Sequence, residues 1–324
     1  MALLTALPFD TAQELLLAYG LRLTGLQPLS AGSVNSNFFL TARDSGGTEQ
    51  KYFARIYEEQ GDEGARFELI LNELLDTANL PVARPVHLTN GELATSHEGK
   101  PFAIYERLTG DVICQEMVTE TMVRSVGGAL ASVHMAPLGG LHVGPSRFGF
   151  DAIEKRLQRV EQARRPDLSP AVSRVRALSA ELKAIRASKL PSGLIHGDLF
   201  RDNVLIKDDV VAGLLDFESA SFGPFVYDLL VTMLAWCFGD ELDEALVGAM
   251  FQGYTQVRPM SAFEVSEMTT EGSFACIRFA STRLTDFSLR TAPGQKPLRD
   301  YDRFFQRLDA LQSGHLDRII APLI

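Results

Sequence analysis

Apolar residues recur every second position in some stretches of this chain and every third or fourth in others, and the two periods separate along its length. Residues 34–42 and 51–58, rich in Phe and Tyr, read as strands joined by the turn Asp44-Ser-Gly-Gly-Thr48. Thr11 to Tyr19 reads as a short helix stopped by Gly20. Gly64 to Ala78 carries Phe67, Leu71, Leu74, Leu75 and Ala78 along one face, which predicts an amphipathic helix, with Pro81 and Pro85 ending it. Two further strands are expected around Val86–His87 and over Phe102–Arg107. After Gly110 the period lengthens. Val118 to His134 reads as helix, and 151–189 as charged helix broken near Pro166 and Pro170. Short strands are expected beside Asp198 and Asp216, and everything from Pro224 onward is mostly helical. A sheet-rich first part, residues 1–107, and a helix-rich second part, 108–324, predict an α+β architecture of two lobes with a cleft between them.

Composition narrows the class. The 324 residues are 46% hydrophobic and 22% charged, as in ordinary globular proteins. The formal charge of −10 disfavours non-specific nucleic-acid binding. Segment 151–189 is rich in Arg156, Arg159, Arg164 and Arg165, but Glu154, Glu161 and Glu181 interrupt it, so it reads as a solvated helical pair. Cys114, Cys237 and Cys276 are odd in number and far apart, which suits a reducing cytoplasm. The N-terminus lacks the basic region of a signal peptide, and the apolar run Leu229–Phe238 is too short to span a bilayer, so no membrane partner is expected. The pattern carries no reading of oligomeric state.

The chemistry concentrates at Leu194-Ile-His-Gly-Asp198-Leu-Phe-Arg-Asp-Asn203-Val-Leu and at Leu215-Asp216-Phe217. Asp198 follows a short apolar strand, so it stands on a turn where a carboxylate can orient a substrate hydroxyl. Asn203, five residues on, and Asp216, after the β-like run Val210–Leu215, are oxygen donors of the kind Mg²⁺ takes together with phosphate oxygens and water. Either Asp198 or Asn203 alone would be an ordinary turn residue. With His196 and Asp216 the set points to phosphoryl transfer, which needs positioning and charge neutralisation more than covalent help. His196 is read as a support beneath the loop rather than a second base. Asp202 is read as supporting the same turn.

The run His196-Gly-Asp-Leu-Phe-Arg-Asp-Asn-Val-Leu205, then Leu214-Leu-Asp-Phe217 and Tyr227-Asp-Leu229, resembles the aminoglycoside phosphotransferase and choline kinase superfamily, small-molecule kinases with a protein-kinase-like fold. Ala31-Gly-Ser-Val-Asn-Ser-Asn-Phe-Phe39, Leu234-Ala-Trp-Cys-Phe238, Gly253-Tyr-Thr-Gln-Val-Arg-Pro259 and Arg278-Phe-Ala-Ser-Thr-Arg-Leu-Thr-Asp286 are similar to the homoserine kinases of that superfamily. The resemblance covers nearly the whole chain. It implies Asp198 as base, Asn203 and Asp216 as Mg²⁺ ligands, and Asp228 as a brace for the catalytic loop. It implies that Gly32 to Asn37, with Gly32, Ser33, Asn35 and Ser36, form the loop over the phosphates of ATP. It also implies that Tyr105-Glu106-Arg107-Leu108 is the hinge whose backbone at Glu106 and Leu108 meets the adenine.

Period two places Phe53, Arg55 and Tyr57 on one strand face. Arg55 falls where such kinases carry a phosphate-binding cation. Nucleotide phosphates and Glu68 are its candidate partners, and snorkelling to water is the alternative. An Arg stands where protein kinases have Lys. Two further departures matter. Asp216-Phe217 is followed by Glu218 rather than Gly, and only residues 217–227 separate Asp216 from Asp228, which leaves no room for a long activation segment and favours a small acceptor. L-homoserine is the acceptor the narrower resemblance implies, giving O-phospho-L-homoserine for threonine synthesis. Arg278, Thr282 and Thr285 share a helix face beside Asp286. They either hold a zwitterion or form an ion pair on a solvated face. Trp236 either lines the pocket or packs in the core. The alternatives are an aminoglycoside- or choline-type phosphotransferase acting on another small alcohol, and a catalytically silent nucleotide-binding module.

Overall fold

The period-two segments near the N-terminus become a five-stranded antiparallel sheet. The structure is a computed structural model in which residues 5–29 and 34–324 are described. The chain forms two compact units. One gathers Met1–Asp111, Ala136–Leu141 and Ala212–Glu218, and the other Val112–Met135, His142–Val211 and Ser219–Ile324.

In the first unit, α1 (Phe9–Ala18) is followed by Gly20 at φ +70°. Then come β1 (Arg22–Leu29), β2 (Ser36–Arg43), β3 (Glu49–Ile56), α2 (Asp62–Thr77), β4 (Thr95–His97) and β5 (Lys100–Glu106). The sheet order is β1-β2-β3-β5-β4. Alternation sorts its two faces. Phe38, Leu40, Ala54, Ile56, Phe102 and Ile104 join Ala12 and Leu16 of α1 in one core. Each large side chain buried there contributes roughly 1.5–3 kcal/mol relative to exposure. Phe53, Tyr57, Ala103 and Tyr105 face the other way, with Ala65 and Leu69 of α2. Register stacks Phe39 opposite Phe53, and Phe53 opposite Tyr105. It also sets Asn37 opposite Arg55.

Two differences from the sequence reading have backbone causes. Arg22–Leu29 is a strand although Gly25 and Pro28 weaken its pattern. It is the edge strand, bulged between Leu23 and Gly25, where both residues are tolerated. Val86–His87 is not a strand. The chain makes only an isolated antiparallel bridge there, Pro85 opposite Tyr105, with Val86 N donating to Ile104 O at 2.8 Å and Glu106 N to Arg84 O at 2.9 Å.

In the second unit, α3 (Glu120–Met135), α4 (Phe150–Gln162) and α5 (Ser169–Ile185) lead to β6 (Ser192–Ile195), β7 (Val204–Lys207), β8 (Val210–Leu214) and β9 (Ser221–Pro224). The last residues of β8 group with the first unit. Helices α6 (Phe225–Trp236), α7 (Glu244–Val257), α8 (Ala262–Ser266), α9 (Met268–Asp286), α10 (Asp302–Gln312) and α11 (His315–Ile320) complete the chain. Pro170 begins α5 rather than breaking it, since a first-turn proline lacks an amide the helix does not use. β6 pairs antiparallel with β9, and the chain between them carries the phosphoryl-transfer motif. Among the described residues, no helix is long and apolar enough to cross a membrane.

Candidate functional site

Asp198 stands on the turn that leaves β6. Gly197 takes φ +77° there, and a Cβ on it would lie 3.0 Å from Ser219 O. Both space and conformation therefore ask for glycine. Asp228, in the first turn of α6, holds this turn from below. Its Oδ2 accepts from His196 N and its Oδ1 from Gly197 N, each at 2.7 Å. Asp228 has no exposed surface. Burial works against its charge, but the hydrogen bonds from His134 and from the Gly197 amide hold its carboxyl below the usual range.

His134 completes the support. Its Nε2 is 3.1 Å from Asp228 Oδ2 and its Nδ1 2.7 Å from Tyr254 Oη. Burial pushes its imidazole below the ordinary value against the pull of Asp228. A neutral ring that donates from Nε2 and accepts the tyrosine hydroxyl at Nδ1 fits both partners. His196 is fully buried, and its Nδ1 accepts from Asp198 N at 3.3 Å. Asn203 Nδ2 donates to Asp198 O at 2.8 Å, so the side-chain carbonyl is the group left to meet a cation.

Helix α9 passes close to this turn. Arg278 Nη1 lies 3.7 Å from Asp198 Oδ1. Most of this stretch is buried, Ile277, Arg278, Ser281, Leu284 and Thr285 among it, while Thr282 and Asp286 are partly exposed. Asp286 does not pair with Arg278. It accepts from Arg156 Nη1 at 2.9 Å, while Thr285 Oγ1 meets the same nitrogen at 2.5 Å. Thr282 Oγ1 bonds back to Phe279 O at 2.9 Å. Trp236 has no exposed surface, and its indole N–H donates to Leu199 O at 3.1 Å. Of the two arrangements expected for it, core packing is the one found, and it steadies the loop after Asp198.

The first unit holds the remaining candidates. Arg55 is 7% exposed, so it does not snorkel. Its Nη1 is 2.8 Å from Glu68 Oε1 and 3.2 Å from Asp216 Oδ1, and its Nε donates to Asn37 Oδ1 at 3.3 Å. Phe53 and Tyr57 flank the guanidinium, 5.8 and 5.7 Å to their ring centres. One guanidinium thus serves two carboxylates. Burial pushes the Glu68 carboxyl up to about 7, against the pull of Arg55 and helped by Asp216 and Glu218. Asp216 takes φ +64°, a left-handed conformation that Asp tolerates better than most residues. Asp216 keeps hard carboxylate oxygens of the kind a divalent cation takes.

Gly32 and Ser33 lie outside the described residues. Asn35 Nδ2 donates to Glu218 Oε2 at 3.0 Å, and Asn35 Oδ1 accepts from Glu58 N at 3.1 Å. The Ser36 hydroxyl is buried and donates to Glu58 Oε1 at 2.5 Å. Lys100 also donates to Glu58, so these side chains knit the start of β2 to the end of β3. Glu106 pairs with Arg84, and its amide donates to Arg84 O at 2.9 Å, while Leu108 is half-buried.

Sequence reasoning missed His134, Tyr254 and Glu58. Tyr254 lies in a motif quoted for resemblance. A lone His at a helix end carries no signal by itself.

Residues 25–261 match the phosphotransferase enzyme family. The chain is 32% identical to a homoserine kinase of Neisseria meningitidis over 311 residues, covering 94% of this chain and 97% of that one. Among solved structures it is similar to a spectinomycin phosphotransferase in complex with ADP and spectinomycin, with a TM-score of 0.68 and 16% identity, covering 96% of this chain and 100% of that chain. It is also similar to an amicoumacin kinase in complex with AMP-PNP and Ca²⁺, with a TM-score of 0.66 and 16% identity, covering 90% and 88%. At such identity the structures speak for the fold alone. It is the protein-kinase-like α+β class expected from the sequence.

Proposed function

We propose that this chain, which belongs to the phosphotransferase enzyme family, transfers the γ-phosphoryl group of ATP to the side-chain hydroxyl of L-homoserine, giving O-phospho-L-homoserine and ADP. The observation that carries the acceptor is the likeness to a homoserine kinase across nearly the full length of both chains. The reaction type is supported independently by the braced turn that presents Asp198.

In this reading Asp198 accepts a hydrogen bond from the acceptor hydroxyl and aims its oxygen at the γ-phosphorus. The new P–O bond forms as the bond to the β,γ-bridging oxygen breaks. That oxygen leaves with the electron pair as part of ADP, and the hydroxyl proton passes to Asp198. Asn203 and Asp216 are the residues that would hold Mg²⁺, and Arg55 is the cation available to the nucleotide phosphates. When bound, Mg²⁺ supplies neutralisation of the phosphate charge. The braces under the turn from Asp228, His196 and His134 cost no reorganisation at the moment of reaction. The three free cysteines support work in a reducing cytoplasm.

A coupled ADP-release assay over L-homoserine, choline, methylthioribose and aminoglycosides tests this. Homoserine is expected to give the highest kcat/KM. Turnover with another acceptor and none with homoserine would overturn the substrate. ATP binding without turnover on any acceptor would make the chain a silent nucleotide-binding module.

A further inference from the structure

Arg278 sits in the middle of α9, 3% exposed. Its guanidinium carbon lies 3.8 Å from the ring centre of Phe148 and 3.7 Å from that of Phe279. Two aromatic rings therefore fix the fork in place. Its hydrogen-bonding capacity is nonetheless unmet. Nε is buried without a hydrogen-bond partner. The ion pair Arg278 makes among the described residues, to Asp198 Oδ1, is at 3.7 Å, outside hydrogen-bond reach.

Two other arginines of this unit, the half-buried Arg186 and the buried Arg307, are engaged quite differently. Arg186 gives Glu271 two bonds of 2.7 Å. Arg307 donates to Leu234 O and Arg303 O, at 2.8 and 2.7 Å. Leaving a buried donor unsatisfied is destabilising, and a charged one more so. A fold that keeps such a group beside its candidate base has a use for it that no protein atom fulfils.

Resting on the amino-acid acceptor proposed above, we infer that Arg278 binds the α-carboxylate of the acceptor and restricts the enzyme to alcohols that carry one. A guanidinium fork pairs with a carboxylate through parallel N–H bonds that no neutral group matches. Its closeness to Asp198 sets the spacing: the carboxylate and the reacting hydroxyl must be only a few bonds apart, as in a short hydroxy amino acid. Asp286, bound to Arg156, takes no part in this recognition.

The test compares wild type with Arg278→Met, which keeps an apolar stem between the rings. Arg278→Lys, which keeps the charge, is the companion if the methionine variant does not fold. Acceptors are L-homoserine and 3-aminopropan-1-ol, the same amino alcohol without its carboxylate. The inhibition constant of L-2-aminobutyrate, which keeps the carboxylate and lacks the hydroxyl, is measured alongside. For Arg278→Met, kcat/KM on homoserine should fall about a hundredfold, mainly through KM, with 3-aminopropan-1-ol changed less than about threefold. The inhibition constant should rise at least about tenfold, and about fivefold or more for the lysine variant, whose point charge lacks the fork. Equal losses on both acceptors with unchanged inhibition would mean that Arg278 acts only through Asp198, and the inference fails. A wild type that prefers a carboxylate-free alcohol overturns both the acceptor and the role of Arg278. A wild type that ignores homoserine yet uses another hydroxy acid with the same dependence on Arg278 removes homoserine and keeps the inference.

Discussion

Asp228 accepts the backbone amides of both His196 and Gly197, each at 2.7 Å, and thereby sets the turn on which Asp198 stands. Asp228→Asn keeps the volume but offers one acceptor to two amides and turns an N–H₂ toward the other. We expect a stability loss of about 2–3 kcal/mol by chemical denaturation, with kcat reduced far more than the KM for ATP. Unchanged kcat in a folded variant would separate the turn from the chemistry.

Asp198→Asn removes the proton acceptor and keeps the size of the side chain. Turnover should fall by about 10²–10⁴-fold, the usual weight of a positioned base, while ATP binding by titration calorimetry stays close to wild type. Wild-type turnover would take Asp198 out of the mechanism.

Arg55 neutralises Glu68 at 2.8 Å and reaches Asp216 at 3.2 Å. In Arg55→Ala, Glu68 is left buried without its cation, which should destabilise the protein by about 3–5 kcal/mol. Arg55→Lys restores a charge but not the fork, so it should recover part of that stability and show a raised KM for ATP. A folded alanine variant with unaltered stability would show that the cluster carries no such charge.

His134 gives the pH dependence its sign. Its ordinary value is 6.5, and burial lowers it in the folded protein. As pH falls through about 6.5 the unfolded chain takes up a proton that the folded imidazole refuses, so stability is present above that pH and is lost below it. Each pH unit should cost up to about 1.4 kcal/mol from this group until the folded imidazole also protonates. Thermal melts of wild type and His134→Gln from pH 7.5 to 5 check this: the variant should show the shallower slope, and equal slopes would rule His134 out.

Helices α3 and α7 approach through glycines. A Cβ on Gly127 would lie 2.3 Å from Met250 O, and one on Gly253 2.0 Å from Arg124 O. Neither backbone carbonyl can yield without moving its helix. Gly253→Ala should destabilise by about 3 kcal/mol or more despite the better helix propensity of alanine. An unshifted melting temperature would mean that the helices part at little cost.

Strong local patterns were legible without coordinates. The alternation through Phe53, Arg55 and Tyr57 placed Arg55 on an aromatic face, where it indeed meets Glu68. Weak local patterns misled where a neighbour decided the outcome. Arg22–Leu29 is a strand because β2 pairs with it, in spite of Gly25 and Pro28. Period alone put Asp286 next to Arg278 on α9, but Arg156 from α4 takes the aspartate instead.

The chain's own order of residues determined the element periods, the oxygen donors Asp198, Asn203 and Asp216, and the motifs that relate it to phosphotransferases. Each is a local property, written in spacings of two to five residues. Tertiary structure alone decided which polar side chains meet: Asp228 with His134, Glu68 and Asp216 with one Arg55, and Asp198 with Arg278. A charge's partner depends on which side chains burial leaves within a few ångströms, and that is set by packing between elements far apart in sequence.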